Sequence, residues 1–244
     1  ISDINTLYHD SVTLHIPSKT TIETFDKTNS FIVDDNTTVT FNVKDNYIYG
    51  YVGKRLIKSS KRLIINETDS EVIFQSISRG VGIPSYEGNI ELSVVNGKIL
   101  VINDVLMENY LEKVVPSEMP SSWNMEALKS QAVAARTYAY KEIYRNNFAS
   151  LGYVVDDSES SQVYNNQSKQ ETSSRAVLET EGLTMFCENE PIVAYYFSTC
   201  SGLLGAGNEV WIENKVTDKI PYLLGGNISS REVDTTDEND VLNY

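Results

Sequence analysis

Histidine is scarce in this chain, with 2 among 244 residues, and both, His9 and His15, fall in the N-terminal stretch, where they are expected to alternate along one strand. A Ser/His/Asp or Cys/His nucleophilic pair would need one of them to fold back onto Ser198 or Cys200, so triad chemistry is set aside. Cysteine is equally scarce. Cys187 and Cys200 are the only 2, and with the distant histidines they show no zinc-ligand spacing. They bracket an expected hairpin, Leu183 to Cys187 and Ile192 to Phe197 about a Glu188–Pro191 turn, in which a bridge would be strained, so both read as free thiols. Such low cysteine use fits the cytosol and the exterior of a Gram-positive cell equally. No phosphate-cradling glycine motif occurs. No apolar run approaches the roughly eighteen residues of a membrane span. Positive charge is short as well: 20 Lys and Arg against 34 Asp and Glu leave a net charge of -14, which repels nucleic acid and anionic membrane surfaces. The start Ile1-Ser-Asp-Ile-Asn5 has neither an initiator methionine nor a signal-peptide pattern. It reads as trimmed, with any targeting segment or membrane anchor outside this chain.

What is present is a globular composition, 41% hydrophobic and 10% aromatic, long enough for one large core or two smaller ones. Residues 1–86 alternate and are rich in β-branched and aromatic types. Ser11–Ile16, Thr37–Val43, Tyr47–Val52, Arg62–Ile65 and Glu71–Gln75 read as short strands. Ile90–Ile102 reads as a hairpin, because Asn96-Gly97 supplies the positive φ angles of a tight turn. From Leu106 the spacing becomes helical. One helix is predicted over Leu106–Val115, stopped by Pro116, and a second over Asn124–Asn146. The second carries Ala127, Gln131, Ala134 and Tyr138 on one stripe and Leu128, Ala132, Ala135 and Ala139 on the next, so it is expected to be central and buried. A third helix is expected over Ser168–Glu179. The expectation is an α+β fold: a β-rich N-terminal region (1–86), then a domain (87–230) of hairpins packed around the alanine-rich helix with a substrate cleft, then an acidic tail (231–244).

With histidine and metal chemistry removed, carboxylate chemistry remains. Glu118 lies between Pro116 and Pro120, near Val115, Met119 and Trp123, in what reads as an apolar turn. Such surroundings raise a carboxyl pKa and let the group donate a proton near neutral pH. From the residues alone Glu118 stays open between that role and a surface or helix-capping one. Lys129 and Arg136 stay open between the site and a solvated helix face, and Gln131 between the site and a buried hydrogen-bonding role. Asp156 and Asp157 are loop residues or a second carboxylate, and Ser198, Thr199 and Ser201 cap a strand end or line a site.

The run Tyr110-Leu-Glu-Lys-Val-Val-Pro-Ser-Glu-Met-Pro120, Trp123, Glu126-Ala-Leu-Lys-Ser-Gln-Ala-Val-Ala-Ala-Arg-Thr-Tyr138, Asp156-Asp157 and Ser161-Gln-Val-Tyr164 resembles the SpoIID/LytB domain family, the stage II sporulation protein D group. Ala176-Val177, Thr180, Gly182, Pro191-Ile192, Ser198-Thr199, Gly202 and Glu209-Val-Trp211 follow in the family's order, so the likeness covers roughly residues 90–225. The resemblance implies a lytic transglycosylase that cuts peptidoglycan glycan strands stripped of stem peptides, with Glu118 as the single acid/base. It also implies Lys129 and Arg136 in the site, Gln131, Gln162 and Tyr164 along the groove, and Ser198, Thr199, Ser201 and Gly202 as the opposite wall. A non-catalytic, glycan-binding enhancer of a cell-wall amidase is the alternative the same family implies. Either role places the protein outside the cytoplasm, at the wall, in sporulation or another remodelling process. Some members bind zinc through a cysteine and a histidine before the Gln-Val-Tyr motif. This chain has Val155, Ser160 and Ser161 there, so neither metal nor cofactor is expected. It also departs from the family's Ser-Gly-Gly-x-Thr pattern with Cys200-Ser-Gly-Leu-Leu204, and has Phe197 where a histidine is common.

Overall fold

The computed structural model describes residues 1–3, 6–197, 203–210 and 220–227. The chain opens with β1 (Tyr8–His9), β2 (Ser11–Ile16), β3 (Thr20–Thr24), β4 (Ser30–Val33), β5 (Thr37–Lys44) and β6 (Tyr47–Val52). These are followed by β7 (Arg55–Ser59), β8 (Arg62–Ile65), β9 (Val72–Phe74), β10 (Ser85–Tyr86), β11 (Asn89–Val95) and β12 (Lys98–Asp104). They form two antiparallel sheets, in the orders β1-β12-β11-β8-β3-β4 and β10-β9-β2-β5-β6-β7. β12 packs on β2 and β5, and β11 on β6, so the sheets lie face to face. β2 shows period-two alternation plainly: Val12, Leu14 and Ile16 are fully buried, while Thr13 and His15 between them are not. β12 differs, since Ile99, Leu100, Val101 and Ile102 are all buried, as in a strand covered on both faces.

The Asn96-Gly97 hairpin forms as predicted, with φ of 52° and 76° at the turn and Val95 opposite Lys98. Its first strand pairs with β8, so the first sheet takes strands from both sides of the 86/87 boundary. His9 and His15 do not share a strand: His9 ends β1 in the first sheet and hydrogen-bonds Ile1 O, and His15 lies on β2 in the second and meets Thr38 Oγ1.

Three helices follow, α1 (Met107–Glu118), α2 (Met125–Arg145) and α3 (Glu171–Glu179), each packed on the other two. α2 begins at Asn124, whose side chain accepts from Glu126 N–H, and ends at Asn146 in the left-handed conformation, with φ 51°. Its Leu128, Ala132, Ala135 and Ala139 stripe is buried, as the alanine spacing predicts. α1 corrects one expectation. Proline removes an N–H and crowds the carbonyl four residues back, yet the helix runs through Pro116 for two further residues. Pro116 falls in the last turn, where one missing bond is tolerable, and Met119 N–H still reaches Val115 O at 2.9 Å. α3 starts at Glu171, later than the expected Ser168.

A short hairpin, β13 (Phe186–Cys187) and β14 (Glu190–Pro191), turns at Glu188 and Asn189, with φ of 52° and 65°, rather than across Glu188–Pro191. Cys187 is a free thiol, and Cys200 lies outside the described residues. β15 (Leu203–Leu204), α4 (Gly207–Val210) and β16 (Gly226–Asn227) complete a strand-rich fold of mixed α and β structure, in keeping with the α+β expectation. The expected acidic tail falls outside the described residues.

Candidate functional site

Because α1 continues through Pro116, Glu118 is the last residue of that helix rather than a turn residue, and Met119 leaves in extended conformation. Its side chain is half-buried. It lines a cavity of about 560 Å³ together with Pro116, Ser117, Met119, Pro120, Gln167 and Gln170, and Glu118 is the carboxylate in that wall. One carboxylate oxygen accepts the backbone N–H of Val163 at 2.6 Å. The Tyr196 hydroxyl donates to the carboxylate as well.

That hydroxyl is one link of a polar chain. Tyr110 OH donates to Gln162 Oε1 at 3.0 Å; Gln162 Nε2 donates to Tyr196 OH at 3.2 Å and to Ala135 O at 3.2 Å. Every donor and acceptor of the Gln162 amide is directed toward a neighbour, and its side chain is fully buried. Replacing it with leucine strands the Tyr110 hydroxyl and takes a donor from the Tyr196 oxygen and from Ala135 O, which keeps its place in the α2 ladder. Gln162→Leu is therefore expected to cost about 2–4 kcal/mol in a urea unfolding experiment, with the loss reduced in Gln162→Glu, which keeps an acceptor for Tyr110.

The electrostatics of Glu118 set burial against hydrogen bonding. Burial disfavours the charged form and raises the carboxyl pKa above its ordinary value; the Val163 N–H and the Tyr196 hydroxyl favour the anion and hold the rise in check. The negative charge of nearby Glu159 adds to the rise. The C-terminal end of α1 acts in the same sense, since the helix dipole presents its negative pole there. Burial, and then the Glu118 charge, push the Tyr196 hydroxyl far above its ordinary range, so it remains a donor at any physiological pH.

The other expected residues have separate positions. Lys129 Nζ pairs with Glu126 at 3.0 Å and Glu179 at 2.8 Å, joining α2 to α3. Arg136 is buried, grips Glu108 of α1 through two bonds, and donates to Val177 O and Leu183 O. Neither guanidinium nor ammonium is directed at Glu118 by these contacts. Gln131 is buried on α2, and its Nε2 has no hydrogen-bond partner among the described residues. Tyr164 is buried in an aromatic group with Tyr86 and Tyr110, its hydroxyl donating to Asn103 Oδ1 at 2.8 Å. Ser198, Thr199, Ser201 and Gly202 lie outside the described residues.

Asp156 is turned onto its own loop, accepting Ser158 N–H at 2.9 Å. Asp157 is buried, ion-paired with Arg79 at 3.0 Å, and accepts Ser2 N–H. It lines a different, more apolar cavity of about 420 Å³ beside β12 that Glu118 does not line. The sequence reading missed Tyr110, Val163, Glu159 and Tyr196. Val163 lies inside the quoted Ser161–Tyr164 motif, but its contribution is a backbone N–H, which no side-chain pattern announces.

Fold and site together define an α+β domain whose described chemistry centres on one half-buried glutamate held by a tyrosine and a backbone amide. Residues 95–186 match the stage II sporulation protein (SpoIID) family. An uncharacterized protein of Brachyspira hyodysenteriae is 35% identical over 140 residues, 57% of this chain and 37% of that protein. The Bacillus subtilis amidase enhancer is 38% identical over 114 residues, 47% of this chain and 14% of that protein. Stage II sporulation protein D of Bacillus subtilis is 34% identical over 136 residues, 50% of this chain and 38% of that protein. The match thus spans well under half the length of each of these relatives.

Proposed function

We propose that this domain is a lytic transglycosylase of peptidoglycan glycan strands, acting outside the cytoplasm in wall remodelling of the kind sporulation requires. The observation that carries the reading is the half-buried Glu118 at the wall of an open cavity, its carboxyl pKa raised above the ordinary value by burial. In this reading the protonated carboxyl gives its proton to the glycosidic oxygen as the C1–O bond breaks. The resulting carboxylate then takes the proton of the sugar's own 6-hydroxyl, whose oxygen bonds to C1 and closes an anhydro ring. One group acts as acid and then base, and no water, metal or cofactor enters. Tyr196 and the Val163 amide hold the anion between the two steps, and Gln162 holds Tyr196.

An inverting hydrolase instead needs a second carboxylate roughly 6.5–9.5 Å from the acid to activate water, and a retaining one needs it at about 5–5.5 Å. Asp157 is committed to Arg79, which counts against that role. Glu159 is the nearer candidate, since its charge is felt at Glu118.

The catalytic unit in this proposal is residues 87–230, with 1–86 as a supporting β region. Lys129 and Arg136 serve it by fixing the helices, and Ser198, Thr199, Ser201 and Gly202 are proposed to contact the glycan. No helix among the described residues is long and apolar enough to cross a membrane. A glycan-binding enhancer of a wall amidase is the second reading, favoured by the likeness to the amidase enhancer.

Incubation with amidase-treated glycan strands, followed by mass spectrometry of the ends, separates these. Anhydromuramic ends are expected. Reducing muramic ends would identify a hydrolase, and strands bound but uncut would favour the enhancer.

A further inference from the structure

The loop that brings its amide to Glu118 is tied down by a residue from the N-terminal β region. Arg79 is buried, in the turn between β9 and β10, where Arg79 and Gly82 bond to each other across the turn. Its Nη2 donates to two backbone carbonyls at once, Asp157 O at 2.7 Å and Tyr164 O at 2.8 Å. Its Nη1 donates to Ser2 Oγ at 2.6 Å and pairs with the Asp157 carboxylate at 3.0 Å. The two carbonyls stand at the ends of the loop 157–164, and between them lie both groups that reach the site, the Gln162 amide and the Val163 N–H. A guanidinium has donors fixed in one plane, so gripping both ends sets their separation and orientation in a way a flexible cation does not.

A second contact comes from the same turn. Gly80 N–H donates to Asn166 Oδ1 at 3.3 Å, and a Cβ at Gly80 would stand 2.6 Å from Asn166 O. The turn is thus seated directly against the segment that follows the loop. No side chain larger than hydrogen fits there without moving it.

We infer that Arg79, with the Gly80 turn, is a positioning residue for Glu118: it holds loop 157–164 so that Val163 N–H meets the carboxylate, and so couples the N-terminal β region to the chemistry. The inference rests on the reading of Glu118 as the reacting acid. It gives residues 1–86 a part in the site beyond support of the sheet.

The test uses Arg79→Lys and Gly80→Ala in the full chain. The lysine keeps a cation beside Asp157 but loses the planar fork, and the alanine leaves Arg79 intact while displacing the turn. Amide NMR spectra report folding, and the Glu118 carboxyl is titrated through its ¹³C shift, assigned by its absence in Glu118→Gln. Loss of the Val163 N–H removes a bond that favours the anion, so the Glu118 titration is expected to move to higher pH in both variants. On glycan strands kcat is expected to fall about tenfold with KM within twofold, and the alkaline limb of the pH profile to move upward with the titration.

An unchanged Glu118 titration in either folded variant overturns the inference. Failure of both to fold overturns it as well, since Arg79 and its turn would then be required for the fold at large. Because the titration is read from the carboxyl itself, it is independent of whether Glu118 proves to be the acid, a separate matter decided by cleavage in Glu118→Gln.

Discussion

Glu118→Gln is expected to lower the rate of anhydro-end formation by roughly 10³-fold or more, with binding of glycan strands retained. The amide is nearly the same shape as the acid. Its oxygen can still accept Val163 N–H, which stands 2.6 Å from the carboxylate in the parent, and its NH2 can turn to the Tyr196 oxygen, so the local bonding survives in altered polarity. What the amide cannot do is give up a proton to a leaving oxygen or take one from a hydroxyl. A rate loss confined to kcat is the signature of a group that acts on the reacting atoms. Wild-type rates in the variant would refute the lone-acid reading, whereas unchanged stimulation of an amidase would support the enhancer.

The same substitution carries a stability prediction of definite sign. Folding raises the pKa of Glu118, so between its ordinary value and its raised one the native state binds more protons than the unfolded chain. In that window stability falls as pH rises, and above it the full cost of the buried anion is present. The amide that replaces the carboxyl carries no such charge. The variant is therefore expected to melt at a higher temperature than the parent at neutral pH, with the gap closing as pH is lowered toward the ordinary carboxylate range. A calorimetric series from pH 4 to 8 reads this directly, and a gap that widens on acidification would contradict it. In the proposed mechanism activity is expected to follow the same titration: the proton-donating form is lost as pH rises through the raised pKa, so the alkaline limb is expected to disappear with Glu118.

Much of the β framework was legible because its physics is local. Asn96-Gly97 names its own turn, and the β2 and β6 spans follow from alternation alone. The limits of α2 follow from Asn124 and Asn146, each a cap by its own chemistry. β3 was not legible, since its buried positions are Thr20, Ile22 and Thr24. Two of those three are hydroxyl residues satisfied by distant or looped partners, Asn66 O for Thr20 and Asp26 for Thr24, so no apolar alternation marks the strand. β4 and β7 are the outer strands of their sheets, where one side lacks a neighbour to impose a pattern. At the site, the motif located Glu118 and Gln162 but not what surrounds them. The Val163 amide comes from 45 residues away and Tyr196 from further still, and only packing of the 157–164 loop against α1 brings them together.

Arg136→Met is expected to destabilise the fold by about 3 kcal/mol, or roughly 6–12 °C in Tm for a chain of this size, while leaving cleavage per folded molecule within twofold. The family resemblance offered Arg136 as a site residue, where the residues alone left it open between the site and a solvated helix face. Its described contacts run to the framework. The guanidinium is 3% exposed, its Nε and Nη2 hold both oxygens of Glu108 at 2.9 and 2.6 Å, and its remaining donors meet Val177 O and Leu183 O. One side chain thus ties α1, α2, the end of α3 and the approach to the β13–β14 hairpin. Methionine fills similar length but donates nothing, so Leu183 O and the Glu108 carboxylate lose this partner together, while Val177 O keeps its bonds from Thr180. Glu108 keeps some solvent, at 30% exposure, which places the cost at the lower end for a broken buried pair. Glu108→Gln should recover part of the loss in the double variant, because the charge left without a counterion is then gone. A rise in KM at unchanged Tm would instead mean that Arg136 leaves Glu108 to hold the glycan, and the framework role would fall with it.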